Sequence, residues 1–438
     1  MSLSRRSFLK ASAAASAAIA VPYILGADKD KKYRTALIGS GWWGMNIARE
    51  AIKSGECKIV ALCDVDKKFL DSASDEIEKL TGDKPAKYKD FRELLDKVKP
   101  EIVINATPDH WHALITIAAC KAGADVYVEK PISHTILEGK AMVKTARDTQ
   151  RIVQVGTHRR VSPHCISAHK FLQDGSLGKI GMVKTFVHSN YGQWPYPADE
   201  NPPEGLDWDF WCGPAPLRPF NKRIHPRGFR QFLDYANGQL AAWGIHWLDQ
   251  VMWWTEEKYP KTVYSTGSKR IFTGNSDAPD TQVVAYEFDS FTCTWEHRFY
   301  AGNEAEKHNI GCYFYGTKGM LHLGWQDGWT FYPSSDEHDE HKEKGQILHE
   351  KPKTHTRDAH NIPELWTDFL DAIKTRRKPI CDIEIGHRST NMSLLGMLSM
   401  KLGRSIKWDG DKETVVGDDA ANKLLRRDYR SPWVYPEL

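Results

Sequence analysis

The chain has 438 residues, a formal net charge of +3 and a charged fraction of 27%. That length exceeds a typical single core and calls for two domains. The near-neutral balance excludes a charge-driven partner such as nucleic acid or an anionic membrane surface. None of the eight cysteines forms a Cys-x-x-Cys pair or shows metal-ligand spacing, so no metal is expected.

The first element is Ser4-Arg5-Arg6-Ser7-Phe8-Leu9-Lys10, followed by an Ala-rich stretch to Val21. A basic start, a mild apolar run and a small-residue exit after Ala20 or Ala27 read as a twin-arginine signal over residues 1–27. The run is too short and weakly apolar to span a bilayer. The expectation is an exported protein, periplasmic or extracytoplasmic and soluble once the signal is removed, with the twin-arginine machinery as a partner. Such substrates fold before export in a reducing compartment, so mostly free thiols are expected.

Strand and helix then alternate. Thr35–Ile38, Ile59–Cys63, Ile102–Ile104, Val126–Val128 and Ile152–Val155 read as strands, with helices at 47–52, 67–81 and 113–122 and a further one before Ile152. This rhythm implies parallel strands with crossover helices, a dinucleotide-binding domain over residues 31–158. After about residue 160 the period changes to two, as in Met182–Val187, Gln282–Phe288 and Thr292–Trp295. Helices are expected at 163–174, 240–254, 361–376 and 387–402. The reading for 159–438 is an α+β domain with a large, mostly antiparallel open sheet. Residues 333–358 are charged and aperiodic, and read as a surface insertion in which His338 and His341 are solvated.

Gly39-Ser40-Gly41-Trp42-Trp43-Gly44 directly follows the first strand. Gly39 permits the tight turn, Gly41 lets the backbone approach a pyrophosphate, and Gly44 lets the helix pack on the strand. Asp64 ends the second strand 20 residues beyond Gly44. It can accept both ribose hydroxyls and would repel a 2′-phosphate, which favours NAD over NADP. The cofactor set therefore includes Gly39, Gly41, Trp42, Trp43, Gly44 and Asp64.

Further motifs follow in order: Ala106-Thr107-Pro108-Asp109-His110-Trp111-His112, Glu129-Lys130-Pro131, Trp211-Cys212-Gly213-Pro214-Ala215-Pro216, Trp243-Gly244-Ile245-His246 and Ile385-Gly386-His387-Arg388-Ser389. With them the sequence resembles the Gfo/Idh/MocA family over nearly all of the chain beyond the signal. The resemblance implies a Rossmann domain, an open-sheet α+β domain, and NAD(P)-dependent oxidation of sugars, inositols or their derivatives. It implies that Thr107, Pro108, His110 and His112 lie along the dinucleotide, with Glu129 and Lys130 beside the nicotinamide. It assigns the catalytic lysine to Lys130 and a general base or proton shuttle to His246. The family commonly has an Asp one turn before that His; here the position is Ala242, with Asp249 three residues beyond His246 as a group that could orient it.

The chemistry agrees with this assignment. Oxidising a secondary alcohol removes a hydride from carbon and a proton from oxygen. A desolvated lysine beside a cationic ring has a lowered pKa and can bond to the developing alkoxide or take its proton. The expected substrate residues are Arg159, His225, Arg230, Tyr235, Trp243 and Asp249, with Arg227 in the same cluster and Trp194 a possible stacking face. The expected substrate is a carbohydrate or polyol, and the expected assembly a homo-oligomer through the second-domain sheet. Export without a free nicotinamide pool favours a cofactor that stays bound and is recycled. Three readings follow: a sugar oxidoreductase, a redox-neutral glycosidase, lyase or epimerase working through a keto-sugar, and a non-catalytic carbohydrate-binding protein of the same fold.

Overall fold

The computed structural model describes residues 32–189, 196–302, 307–334, 348–350 and 361–438, the short stretch 348–350 by its backbone alone. The signal segment 1–27, Trp194, His338 and His341 lie outside the described residues.

The first sheet is built from β1 (Tyr33–Ile38), β2 (Cys57–Cys63), β3 (Ala86–Tyr88), β4 (Ile102–Asn105), β5 (Asp125–Val128) and β6 (Val153–Val155). All pairings are parallel and the order is β3-β2-β1-β4-β5-β6. The helices between them are α1 (Trp42–Lys53), α2 (Lys67–Thr81), α3 (Phe91–Val98), α4 (His112–Lys121) and α5 (Ile136–Asp148). Continuous apolar runs suit β4 and β5, which are buried along their whole length. Strand order reverses between β1 and β4, so the crevice for a ligand opens above their carboxyl ends. β3, three residues long, is too short to read from sequence; α3 was overlooked although Asp90 caps it and Phe91, Leu94, Leu95 and Val98 recur at helical spacing.

Beyond α6 (Pro163–Gln173), β7 (Ile180–His188) enters the second sheet. It is joined by β8 (Thr262–Ser268), β9 (Thr281–Glu287), β10 (Thr292–Arg298), β11 (Ile310–Gly316), β12 (Gly319–Gly324), β13 (Trp329–Pro333), β14 (Leu348–Glu350), β15 (Ile406–Asp409) and β16 (Thr414–Val415). The order is β14-β13-β12-β11-β7-β10-β9-β8-β15-β16. All pairs are antiparallel except β7 with β10, which run parallel at the centre of the sheet. The remaining helices are α7 (Trp208–Cys212), α8 (Ile245–Trp254), α9 (Ile362–Thr375), α10 (Ile383–Leu402) and α11 (Asp419–Lys423). Apolar side chains of α8 and α10 share one core with this sheet through Trp247, Trp295, Tyr286 and Leu395.

Helix α9 behaves differently. Its Leu365, Trp366 and Phe369 belong to the first core, against Tyr127 of β5. The last residues also cross back. Arg427 Nε donates to Glu138 Oε1 at 3.0 Å, the Tyr429 hydroxyl to the same oxygen at 2.7 Å, and Trp433 packs edge-on to Trp111. Glu138 is at the same time the second half of the capping box that starts α5 at Thr135. All eight cysteines are buried free thiols.

Candidate active site

A cavity of about 500 Å³ opens at the switch point. One wall is the glycine loop. Gly39 has φ +89°, and a Cβ there would lie 2.8 Å from the Ala106 carbonyl group. A Cβ on Gly44 would lie 2.0 Å from Gly39 O, so close helix–strand packing excludes a side chain. Gly41 differs: a Cβ there would meet nothing within 4 Å. No side chain caps α1, so its first-turn N–H groups have no side-chain acceptor. An open space above uncapped helical N–H groups suits a pyrophosphate, whose charge the helix end favours.

Asp64 lines the same cavity. Its Oδ2 accepts from Ser40 N at 2.7 Å and Ser40 Oγ at 3.0 Å, and Oδ1 accepts from Asp66 N at 3.0 Å. Burial pushes its carboxyl up, against the pull of these donors. A carboxylate offers about four lone-pair positions, so one remains for a ribose hydroxyl rather than the two expected. Lys67, next to it, is ion-paired with Asp71.

The floor is formed by the loops after β4 and β5. Thr107, Pro108, His112, Glu129 and Lys130 line the cavity. His112 faces two carbonyls, Pro131 O at 2.7 Å from Nδ1 and Thr107 O at 2.8 Å from Nε2. Its ring thus clamps the two loops together and has no nitrogen left for the dinucleotide. His110 is not in the cavity wall. It is fully buried, its Nε2 lies 2.9 Å from Trp211 O, and burial lowers its pKa to about 3. The expected contact of His110 with the cofactor is therefore corrected: it is a joint between the two domains.

Lys130 and His246 both line the cavity. Lys130 Nζ donates to Ala242 O at 2.8 Å. Its pKa falls to about 8, chiefly through burial, then through Arg230; Glu129 and Asp109 oppose the fall. Ala242 lies in a five-residue π-helical turn, Leu240–Gly244, that leads into α8. Such a turn leaves carbonyls unspent along the helix; here Ser393 Oγ donates to Leu240 O at 3.0 Å and Lys130 to Ala242 O. The backbone carbonyl meets the lysine at the position where the resemblance anticipated a carboxylate. His246 is buried on the first turn of α8, its ring 5.2 Å from that of His158 and 5.0 Å from that of Trp325.

The expected substrate residues divide. His225, Arg230 and Trp243 line the cavity. Arg159, Tyr235 and Asp249 do not, and their expected roles are corrected. Arg159 is buried beneath Trp325, with its guanidinium 3.4 Å from the ring centre and Nη1 donating to Trp325 O at 2.9 Å. Burial lowers its pKa to about 10. Tyr235 is buried against Trp211 and donates to Pro216 O at 3.2 Å. Asp249 is fully buried in a bidentate pair with Arg160 and accepts from Ser389 Oγ at 2.6 Å, so its oxygens are spent on structure rather than on His246. Among the cavity residues that were missed, His158 and Trp325 stand beside His246. His158 directly follows Thr157 at the end of β6, and a residue beyond a parallel strand's carboxyl end is the one signal that could have found it. Trp325 sits in the β12–β13 turn, and nothing local marks it. His308, His322 and Asp327 also cluster, with His308 Nδ1 2.9 Å from Asp327 Oδ2, but none of the three lines the cavity.

The family model of an oxidoreductase family with an NAD-binding Rossmann fold matches residues 33–157, and that of its C-terminal alpha/beta domain matches 186–281 and 350–435. The chain belongs to the Gfo/Idh/MocA oxidoreductase family. It has that family's NAD-binding Rossmann fold, followed by a mixed, mostly antiparallel second sheet. A twin-arginine signal model matches residues 2–22. No helix among the described residues is long and apolar enough to cross a membrane. The chain is similar to levoglucosan dehydrogenase of Pseudarthrobacter phenanthrenivorans, 35% identical over 121 residues, 28% of this chain and 29% of that one. It is also similar to a glycosyl hydrolase family 109 protein of Stenotrophomonas maltophilia, 32% identical over 153 residues, 34% of each chain. The matched stretch thus spans about a third of those relatives' lengths. A solved levoglucosan dehydrogenase in complex with NADH and levoglucosan superposes with TM-score 0.66 at 19% identity, covering 86% of this chain and 99% of that one, a likeness of fold.

Proposed function

We propose that this protein is an exported oxidoreductase that oxidises a secondary alcohol of a sugar or polyol, retains its NAD between turnovers, and regenerates it by returning the hydride to the carbonyl of a second sugar. The observation that carries the reading is Lys130: a half-buried lysine whose pKa is lowered to about 8, held at 2.8 Å by Ala242 O in the cavity that the glycine loop lines. When bound, the nicotinamide takes up or returns a hydride at carbon. Gly41, the first turn of α1 and Asp64 would hold the dinucleotide. Lys130 Nζ, neutral in part near pH 8, takes the hydroxyl proton, while one of its N–H groups stays bonded to Ala242 O. His246, whose ring lies 5.2 Å from that of His158 in the same cavity, is the group that passes the proton on. Trp243 and Trp325 exclude water and offer flat apolar faces to a sugar ring; Arg159 stacked under Trp325 stiffens that wall.

Two features favour a redox-neutral cycle as a second reading. One is the similarity to glycosyl hydrolase family 109 proteins. The other is the twin-arginine match, since export would separate a one-way dehydrogenase from any pool that reoxidises its cofactor. In that cycle a transient ketone acidifies the neighbouring C–H before the hydride returns. The proposed locale is the periplasm or another extracytoplasmic space. The proposed assembly is a homo-oligomer: Met182, Tyr264, Val283 and Tyr315 lie part-exposed on the second sheet, the kind of apolar face that a second copy covers.

The test is to purify the exported form, release bound small molecules by heat, and follow the 340 nm absorbance as sugars and aryl glycosides are added. Co-purifying NAD(H), with an absorbance change on sugar addition, is the expected result. A lasting change indicates net oxidation. A transient change with glycoside cleavage indicates the cycle. Absence of bound cofactor together with weak affinity for added NAD rejects the reading.

A further inference from the structure

We infer that Arg227, supplied by the second domain, is the cation of the dinucleotide's diphosphate subsite, and that the seam behind it encloses the bound cofactor. The inference rests on the NAD reading above and adds a ligand to it.

The glycine loop, residues 39–44, contains no lysine or arginine. It offers a diphosphate backbone N–H groups and a helix end, but no full positive charge. Four lysine and arginine side chains line the cavity. Lys130 and Arg230 lie close enough to Asp109 to act on its carboxyl. Lys89 is ion-paired with Asp207. Arg227 remains. Its guanidinium lies 4.7 Å from the ring of Trp42, the first residue of α1, and both residues line the cavity beside Gly41. Arg227 makes no ion pair with a carboxylate among the described residues, and Trp42 is half exposed. The Trp42 ring thus holds the guanidinium without neutralising it. A diphosphate seated on the first turn of α1 would supply the missing anion, because a guanidinium pairs with phosphate oxygens in a two-pronged geometry.

The seam gives this placement its rigidity. Just past Asp64, Lys67 N donates to Gly205 O at 3.0 Å and Asp207 N to Val65 O at 3.0 Å, with a bridge between Asp66 and Leu206. His225 Nε2 donates to Asp66 Oδ2 at 2.9 Å, two residues before Arg227, and its ring stands edge-on to Phe69. The Asp66 carboxyl is held below the usual range; burial pushes it up, but the His225 bond and the Lys68 N–H outweigh burial. The ribose-binding segment of one domain is thus stitched to the arginine-bearing segment of the other. A dinucleotide leaves only when these contacts part, which fits a cofactor carried through export.

The experiment uses the full-length exported protein stripped of cofactor, with ADP, adenosine and NAD as probes and tryptophan fluorescence as the readout. Arg227→Gln is expected to weaken ADP and NAD by about 10-fold or more while leaving adenosine within about twofold. Arg227→Lys should recover part of the loss, since a point charge replaces the fork, and it serves as the test should the Gln variant not fold by circular dichroism. His225→Ala should speed NAD release from the loaded protein. ADP affinity unchanged in both Arg227 variants overturns the assignment of Arg227 while leaving the NAD reading intact. Failure of the wild-type protein to bind either ADP or NAD overturns that reading itself.

Discussion

Lys130 has an ordinary lysine's charge removed at an unusually low pH, and the residue-scale predictions follow from that. With burial and Arg230 lowering its pKa to about 8, the oxidation rate should rise with pH and level off above about 8. Lys130→Ala should keep NAD and lose turnover by about 100-fold or more, because the lost interaction matures only as charge develops. Full activity in that variant would overturn the catalytic assignment of Lys130. Ala242→Asp would bring a carboxylate beside the ammonium group, favour its charged form and move the pH–rate inflection upward. An unmoved inflection would show that position 242 does not face the lysine. The sign for stability is separate. Between about 8 and the usual lysine value near 10.5 the unfolded chain holds a proton that folded Lys130 lacks. This group alone therefore makes the fold more stable as pH rises through that window.

The strand–loop–helix unit β1–α1 shows how one motif combines two different constraints. Gly44 is glycine because the helix lies on Gly39 O, so Gly44→Ala should lower the melting temperature and cost cofactor affinity as well. Gly41 has free space around its missing Cβ, at a φ of −67° that alanine adopts without strain. Gly41→Ala should leave the melting temperature of the cofactor-free protein unchanged and weaken NAD by about 10-fold, read by thermal shift with and without NAD. Equal loss of stability in both variants would show that Gly41, too, is a packing glycine. The π-helical turn before α8 is the other decisive element. Its wider turn presents the carbonyl of Ala242 to Lys130, a contact that no reading of side-chain identity at position 242 could anticipate.

At the scale of the molecule, buried pairs and the returning tail join the two sheets. Asp249 holds Arg160 and Ser389 where β6, α8 and α10 converge, with both charged groups buried. Asp249→Ala leaves a buried guanidinium unpaired and should cost about 3–5 kcal/mol in denaturant unfolding. A role in orienting His246 would instead appear as lost turnover at unchanged stability. All eight thiols are buried and free. A thiol reagent should therefore label none in the native protein and all eight under denaturant, and a reductant should leave the melting temperature unchanged.

Features that depend on contiguous residues were legible before folding was considered. These are the twin-arginine start, the glycine loop with Asp64 closing the next strand, Lys130 after β5, and the switch from alternating strand and helix to period-two strands. Each is a local pattern, so neighbouring residues carry the whole signal. The facing of polar residues was not legible. His110, Tyr235, Arg159 and Asp249 carry the same chemistry as cavity residues, yet each turns into a packed joint with a residue far along the chain. His158 and Trp325 enter the cavity because β6 and the β12–β13 turn converge on α8. That convergence is a long-range outcome of how two cores close on each other, and it decides which of many similar side chains meets the ligand.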